Sequence, residues 1–250
     1  MSLVRQLTNS TLHGLTGTLC RVDAAQLSKV PERGPLILVA NHVNFLEIPV
    51  LYTRLGARPV VVFTKAETFD SWFMRSVFDL SKAIPVKRGE ADATALKCAA
   101  QVLETGHILA VAPEGTRSGD GCLQRGQPGV VMLAMRAKAP LLPIAYFGGE
   151  AFWRNLPRFK RTDFHVAVGQ PFYLDDRGAR VTREVRQQMA DEIMYQVAAL
   201  LPPAYRGYYS NLAAATQNYV RFPESLSSNL SHQTFETPRP RGLVSLEEDT

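Results

Sequence analysis

One histidine and one carboxylate stand five positions apart in the stretch NHVNFLE, residues 41–47, directly behind the apolar run LILVA. An imidazole can remove a proton from a hydroxyl group at neutral pH, and a carboxylate behind it fixes its tautomer and stabilises the imidazolium that forms. On one continuous helix His42 and Glu47 would lie about 140° apart, because five residues correspond to about 500°. The pair can therefore meet only if His42 lies in a loop and Glu47 lies in the first helical turn. Pro49, which suits a first turn, supports a helix that begins there.

The same residues also have a purely structural interpretation. Glu47 stands three residues after Asn44, close to the spacing of a capping box, so its side chain could simply satisfy amide groups at a helix start. A single histidine after a strand is also more often structural than catalytic. A catalytic interpretation requires further groups that hold a substrate nearby.

Such groups follow the other strand-like runs of the first half of the chain. Lys65 follows PVVVFT, Lys87 and Arg88 follow AIPV, and Glu114, Gly115, Thr116 and Arg117 follow ILAVAP. Ligands of parallel α/β sheets bind outside the carboxyl ends of the strands, so we expect all these groups beside His42. Taken singly, each charge could be a solvated loop residue. Their common place at four strand ends favours one site.

The fold class follows from the alternation of strand-like and helix-like runs. The strand-like runs cover residues 36–40, 59–63, 83–86, 107–112, 141–147 and 164–168. The helix-like runs cover about 48–55, 71–80, 91–105, 128–138 and 182–201. This pattern predicts an α/β fold: a single domain with a largely parallel central sheet flanked by helices. The continuous apolar character of several strands is typical of strands covered on both faces.

Composition narrows the class of protein further. The chain has 250 residues, and its three cysteines are scattered without metal-ligand spacing, which argues against a zinc site and against a disulfide framework and favours a reducing compartment. No apolar run is long enough to span a bilayer, and polar residues interrupt the N-terminus, so we expect neither a spanning helix nor a signal peptide. Any membrane contact is expected to be peripheral.

The net charge is uneven along the chain. From Phe222 onward there are five acids and two bases, a balance of −3, so the total of +5 leaves +8 on the first 221 residues. Such a surface favours nucleic acid, anionic lipid headgroups or phosphorylated small molecules. No recognised nucleic-acid-binding motif is present, so we expect no nucleic-acid partner.

Three segments are predicted from local patterns. Residues 1–20 are expected to form an amphipathic helix, either packed on the domain or lying in a membrane surface; its apolar positions are Val4, Leu7, Leu12, Leu15 and Leu19. Residues 21–205 are expected to form the main domain. Residues 206–250 are expected to be a loosely ordered extension, since Ser, Thr, Pro and Glu dominate its end.

The segment FWRNLPRFKR, residues 152–161, interleaves aromatic rings with cations. The rings are Phe152, Trp153 and Phe159, and the cations are Arg154, Arg158, Lys160 and Arg161. Rings at headgroup depth beside cations near lipid phosphates suit a membrane surface. The alternative is that the aromatic side chains pack inward and the cations are solvated.

Four sequence blocks carry a family resemblance. NHVNFLE resembles the NHx₄D box of the glycerophospholipid acyltransferases, the PlsC-like or lysophosphatidate acyltransferase family, and EGTRS is similar to that family's second hallmark. Between them IPVKRG resembles the middle block that ends in an arginine, and APLLPIAYFGG resembles the late block. The resemblance covers about residues 20–200, in order. It implies a glycerolphosphate-acyltransferase-like fold.

The resemblance also implies an activity and roles for the residues named above. It implies acyl transfer from a thioester, acyl-CoA or acyl carrier protein, to a hydroxyl of a lysophospholipid, 1-acylglycerol-3-phosphate above all, in phospholipid biosynthesis. The thioester is a co-substrate, and the chemistry requires no cofactor, no metal and no covalent acyl-enzyme. His42 would be the base and Glu47 its orienting acid. Substrate binding would fall to Lys65, Lys87, Arg88, Glu114, Gly115, Thr116 and Arg117.

The expected setting is the cytoplasm, with the protein peripheral on the inner face of the cell membrane; the oligomeric state is not determined by the sequence. One departure is that the family usually has aspartate where this chain has Glu47. Two alternatives therefore stay open: an acyltransferase with a different lipid or glycoside acceptor, and a catalytically weak protein that binds lipid. A hydrolase is disfavoured because the chain lacks GxSxG.

Overall fold

The apolar run LILVA lies in the middle of the sheet. The structure, a computed structural model, describes residues 3–55, 58–65, 84–86 and 93–231. Strand β2 (Leu36–Ala40) is buried at all five positions. It pairs in parallel with β5 (Ile108–Val111) on one side and with β6 (Leu141–Phe147) on the other. Helices cover both faces of the sheet, so side chains of both orientations must be apolar.

The remaining strands extend the sheet in both directions. They are β1 (Cys20–Asp23), β3 (Val60–Lys65), β4 (Ile84–Val86) and β7 (Thr162–Val168). Within the described ranges the order is β1-β7-β6-β2-β5-β3-β4, and only the β6–β7 pairing of the six is antiparallel. A separate two-stranded ribbon joins β8 (Tyr173–Leu174) and β9 (Val220–Arg221). The predicted α/β fold with a largely parallel central sheet is confirmed.

Among the described residues, one helix precedes the first strand and the others lie between or after the strands, as the alternation predicts. They are α1 (Leu3–Leu19), α2 (Glu47–Arg54), α3 (Ala93–Glu104), α4 (Gly129–Ala137), α5 (Phe152–Asn155) and α6 (Arg183–Ala198). Four of the predicted helical runs correspond to α2, α3, α4 and α6. The fifth, at 71–80, lies outside the described residues.

Alternate residues of β2 enter two different cores. Ile37 and Val39 belong to the layer that contains Met189 of α6, and Leu38 belongs to the layer that contains Val50 of α2. Because α2 is fixed in this way, its first turn is held beside the carboxyl end of β2. No helix of the described ranges is long and apolar enough to cross a membrane.

Helix α1 packs against α2 and leaves part of its apolar stripe outside. Leu12 and Leu19 are partly buried, whereas Leu7 and Leu15 are exposed. The helix is therefore packed on the domain and also presents apolar side chains to its surroundings.

Residues 206–231 are not loosely ordered, so this part of the prediction is wrong. Tyr209 is 1% exposed; its hydroxyl donates to Asp191 Oδ1 at 2.8 Å and accepts the amide of Gly126 at 2.9 Å. Glu192 accepts the amides of Asn218 and Tyr219, each at 2.9 Å. Hydrogen bonds to α6 thus hold a segment that the sequence predicts to be loosely ordered. Residues 232–250 lie outside the described part of the chain.

Candidate active site

The loop between β2 and α2 folds back over the first turn of α2. Nδ1 of His42 lies 3.0 Å from Oε2 of Glu47. The other carboxylate oxygen, Oε1, accepts the amides of Val43 at 3.0 Å and Asn44 at 2.7 Å. Glu47 therefore satisfies the amides at the helix start and holds the imidazole at the same time. The structural and catalytic interpretations of its position are compatible.

The surroundings of the pair orient the imidazole. The Glu47 side chain is 5% exposed, whereas that of His42 is 23% exposed. A carboxylate that already accepts two amides accepts a third hydrogen bond, so Nδ1 carries the proton and donates it. This leaves Nε2 as the basic nitrogen, and no side chain of the described ranges forms a hydrogen bond with it.

Two asparagines fix the loop to strand β6 and to the turn after it. The amide group of Asn41 donates to the carbonyl of Tyr146 and accepts the amide of Tyr146, both at 2.7 Å. Asn44 Nδ2 donates to the carbonyl of Gly149 at 2.6 Å, and Asn44 Oδ1 accepts the amide of Leu46 at 2.8 Å. The side chain of Asn41 thus continues the sheet pairing for one step beyond the end of β2. Local spacing does not predict these contacts with β6 and its turn, because the partners are 105 residues away in the chain.

The turn after β6 has to approach the loop closely. A Cβ at Gly149 would lie 2.9 Å from ring atoms of Phe164 and 3.1 Å from Nδ2 of Asn44. Such contacts are too short, so a side chain at this position would displace the ring or the asparagine. The GG pair at the end of the late sequence block is the signal that points to this close approach.

Glu114 lies under the loop instead of facing an open cleft. It is 4% exposed; Oε1 accepts the amide of His42 at 2.9 Å and Oε2 accepts the amide of Gln124 at 2.9 Å. The amide of Ser118 in turn donates to the carbonyl of His42 at 2.8 Å. Burial raises the pKa of Glu114 to about 7, although both amides act to lower it. The expectation that this carboxylate contacts substrate is not supported, because its oxygens face backbone amides of the protein.

The next three residues of this turn are exposed. Gly115 has a φ of +72°, a conformation that favours glycine, and Thr116 and Arg117 follow it at the surface. The carbonyl of Arg117 accepts the side-chain amide of Gln124 at 3.2 Å, which fixes the backbone. No carboxylate of the described ranges forms an ion pair with the guanidinium. Arg117 is therefore a cation that can meet an anion from solution.

Of the other predicted cations, the structure describes Lys65, whose backbone lies at the same edge of the sheet. Lys65 is the last residue of β3 and pairs with Val86, the last residue of β4. Lys87 and Arg88 come directly after β4 and lie outside the described residues. No group of histidine, cysteine, aspartate or glutamate in the described ranges could hold a metal ion.

Known proteins resemble this chain over the region that contains the candidate site. The family model Acyltransferase matches residues 21–147, which is half of the chain and includes every predicted site residue. The 1-acyl-sn-glycerol-3-phosphate acyltransferase of Bacillus subtilis is 24% identical over 172 residues, which cover 68% of this chain and 83% of that protein. The chloroplastic 1-acyl-sn-glycerol-3-phosphate acyltransferase BAT2 of Brassica napus is 28% identical over 69% of this chain and 51% of its own length.

One solved structure has a similar fold. The 1-acyl-sn-glycerophosphate acyltransferase PlsC of Thermotoga maritima superposes with a TM-score of 0.52 over 76% of this chain and 78% of that chain. At 20% sequence identity the likeness concerns the fold alone.

Proposed function

Because this chain belongs to the Acyltransferase family and is an O-acyltransferase, we propose that it transfers a fatty acyl group from a thioester to the free hydroxyl of 1-acylglycerol-3-phosphate. The contact between His42 and Glu47 carries the proposal, since it supplies an oriented base. The exposed turn beside it bears Arg117, which forms no ion pair within the described ranges. The names of the relatives in Bacillus subtilis and Brassica napus support this acceptor. The setting we propose is the inner face of the cell membrane, in phospholipid biosynthesis.

The reaction uses the imidazole twice. Nε2 of His42 takes the hydroxyl proton of the acceptor while its oxygen attacks the thioester carbonyl, and the carbon–oxygen bond of the new ester forms. The tetrahedral intermediate then loses the thiolate as the carbon–sulfur bond breaks, and the imidazolium returns the proton to sulfur. Glu47 stabilises the imidazolium in between and keeps Nδ1 as the donor. A step of this kind is expected to contribute about 10²- to 10⁴-fold in rate.

The acceptor is held by its phosphate. Arg117 is exposed and unpaired among the described residues, and a guanidinium matches a phosphate with two parallel hydrogen bonds. We assign Arg88 the same role and propose Lys65 and Lys87 as further cations that bind the substrate. Gly115 and Thr116 form the turn that presents Arg117. Glu114 is a positioning residue, because it holds the backbone of His42.

Two observations favour this function over the alternatives. The three hydrogen bonds of Glu47 give the longer acid a complete set of partners, which favours an active enzyme over a silent protein that binds lipid. The free cation at Arg117 favours an acceptor with a phosphate over a glycoside.

The test is acyl transfer by the purified protein, measured by mass spectrometry. The acceptors are 1-acylglycerol-3-phosphate and monoacylglycerol, and each is offered with acyl-CoA and with acyl carrier protein as the donor. We expect transfer to the phosphate-bearing acceptor, and the pair of donors identifies the thioester. Absence of transfer from both donors would overturn the proposal.

His42→Ala is expected to lower turnover by about 10²- to 10⁴-fold with little change in Tm, because the imidazole acts on a proton and lies at the surface of a loop. His165→Ala is the matched control. His165 is 24% exposed and lies 3.7 Å from a carboxylate oxygen of Asp23, so it reproduces the exposure and the charge partner of His42 elsewhere on the sheet. Loss of less than tenfold in His42→Ala would remove the general-base role.

A further inference from the structure

An exposed aromatic patch borders the catalytic loop, residues 41–47. The large apolar side chains of this aromatic patch are Phe45, 38% exposed, Trp153, 64%, Leu156, 38%, and Phe159, 100%. Phe45 belongs to the catalytic loop itself and stands between Asn44 and Glu47 in the chain. Several exposed large apolar side chains in one region are typical of an interaction surface.

Ring contacts join Phe45 of the catalytic loop to the aromatic residues of the segment 152–161. The ring of Phe45 meets that of Phe152 edge-on, with centroids 5.2 Å apart, and its centroid lies 5.5 Å from that of Trp153. Phe152 is 3% exposed and anchors the cluster in the core. Of the two interpretations of the segment 152–161, inward packing holds for Phe152, whereas Trp153 and Phe159 face outward. Because Phe45 contacts Trp153, whatever covers the tryptophan also touches the catalytic loop.

Phe159 is fully exposed and lies in a left-handed turn of the backbone. Its φ is +52°, in the left-handed region that a phenylalanine seldom adopts. Neither burial nor backbone preference accounts for a fully exposed aromatic side chain in this conformation. An external contact would account for it.

Three exposed cations interleave with the aromatic patch. Arg154, Arg158 and Lys160 are all exposed, the segment 152–161 contains no acid, and none of the three forms an ion pair within the described ranges. Arg161, the fourth base, has a different role. Its Nη2 donates to the carbonyls of Gly17 and Cys20 and so ties the end of α1 to this segment.

We propose that the aromatic patch, with Arg154, Arg158 and Lys160, docks on the surface of an anionic phospholipid bilayer and thereby holds the catalytic loop against the lipid. Aromatic rings favour headgroup depth, and cations beside them meet lipid phosphates. The same surface then binds the bilayer and opens to the acceptor, so a lysophospholipid reaches Nε2 of His42 without crossing water. The inference rests on the proposed function in one respect, the lipid nature of the acceptor.

Sedimentation with vesicles that contain no acyl acceptor tests the surface separately from the activity. The variant Arg154→Gln/Arg158→Gln/Lys160→Gln is compared with wild type on phosphatidylcholine vesicles with and without phosphatidylglycerol. We expect wild type to prefer the anionic vesicles and to release them as salt rises. The triple variant should bind anionic vesicles about 100-fold less tightly at low salt, since each base near the surface contributes about 1 kcal/mol.

The matched control, Arg33→Gln/Lys97→Gln/Arg136→Gln, removes the same charge elsewhere. All three side chains are exposed, and Lys97 and Arg136 line a cavity of about 430 Å³ together with Pro35, which precedes β2 at the other end of the sheet. The affinity of this control for anionic vesicles should stay within about threefold of that of wild type, because the removed charges lie far from the proposed contact and salt screens them. Equal loss in the two triple variants, or equal binding of wild type to neutral vesicles, would overturn the proposal.

Fluorescence locates the contact. The chain has two tryptophans, so Trp72→Phe leaves Trp153 as the only one, and Trp153→Phe provides the complementary signal in an otherwise intact aromatic patch. Lipids brominated near the headgroup should quench Trp153, and Trp153→Phe should lose that quenching. A protein that sediments with anionic vesicles while Trp153 stays unquenched binds through another surface, which overturns the proposal. An acyltransferase assay with a negative result would leave both measurements unaffected.

Discussion

The side chain of Glu47 contacts the helix start and the imidazole at the same time. One oxygen accepts the amides of Val43 and Asn44, and the other lies 3.0 Å from Nδ1 of His42. Loss of one methylene moves the carboxylate by about 1 Å, and displacement of a catalytic group on that scale can cost about 10²-fold in rate. We expect Glu47→Asp to lower kcat by about 10²-fold, measured on the phosphate-bearing acceptor.

The opposite outcome is informative as well. If Glu47→Asp turns over as fast as wild type or faster, the site is not built around the longer acid, and Glu47 is an impaired replacement of aspartate. A Tm close to that of wild type is required of the variant, because the same carboxylate also holds the start of α2.

Arg117 is exposed and forms no ion pair with any described residue, as a phosphate ligand requires. Arg117→Ala is expected to raise KM for 1-acylglycerol-3-phosphate by about 10- to 100-fold, since a hydrogen bond to a charged group contributes about 1.5–3 kcal/mol. Arg117→Lys should recover only part of the loss, because an ammonium does not reproduce the guanidinium fork. Steady-state kinetics with monoacylglycerol provide the check: an equal loss on this phosphate-free acceptor would contradict the phosphate role.

At the scale of elements, the carboxylate of Glu114 joins the loop after β2 to the loop after β5. It accepts amides from His42 and Gln124, and Ser118 completes the link through the carbonyl of His42. The candidate active site thus combines two loops that are far apart in sequence and are joined by a buried carboxylate and by a backbone hydrogen bond. Its charge state should therefore affect the stability of the fold.

Burial raises the pKa of Glu114 from 4.5 to about 7, and the sign of the pH effect follows. Between these values the folded chain keeps a proton that the unfolded chain has released. The contribution of this protonated carboxyl group to the stability of the fold is fully present below pH 4.5 and is lost as the pH rises through about 7. The loss is on the order of 3 kcal/mol, since one unit of pKa corresponds to about 1.4 kcal/mol.

Glu114→Gln removes this titration. We expect the free energy of unfolding of wild type, relative to that of Glu114→Gln, to fall between about pH 5 and about pH 8 when both are measured in urea. Subtracting the free energy of unfolding of the variant from that of wild type removes the contribution of the other titrating groups. A difference that stays constant over this range would contradict the raised pKa.

At the scale of the whole molecule, the segment after residue 205 completes the domain. Tyr209 and Glu192 connect it to α6, and Asn229 donates its amide and its side chain to Oε1 of Gln196 at 3.1 and 3.0 Å. These hydrogen bonds contribute roughly 1 kcal/mol each. For a chain of this size, each kcal/mol lost from the free energy of unfolding lowers Tm by about 2–4 °C.

Truncation after Tyr205 is therefore expected to lower Tm by about 10 °C or more, measured by circular dichroism. Truncation after Ser231 is the control, because it leaves every contact named here in place. A stable protein that ends at residue 205 would show that residues 21–205 fold without the later segment.

The local hydrophobic pattern determined most helices and strands of this protein. Pairing with partner strands determined strand β1 and the direction of β7. LILVA is apolar at every position, so its burial on both faces could be predicted. Strand β1, CRVD, has two charged residues among four and was not predicted; it is a strand because β7 pairs with it. The antiparallel direction of β7 relative to β6 likewise depends on where the chain returns, which periodicity does not encode.

The sequence by itself determined that His42 and Glu47 meet around one helix start and that Lys65 ends a strand of the parallel sheet. It could do so because side-chain chemistry and helix geometry are local properties. It did not determine that Glu114 holds a loop instead of a substrate, that Arg161 ties α1 in place, or that residues 206–231 are packed. Each of these depends on which backbone groups lie within hydrogen-bond distance, and only the tertiary structure brings together groups that are distant in the chain.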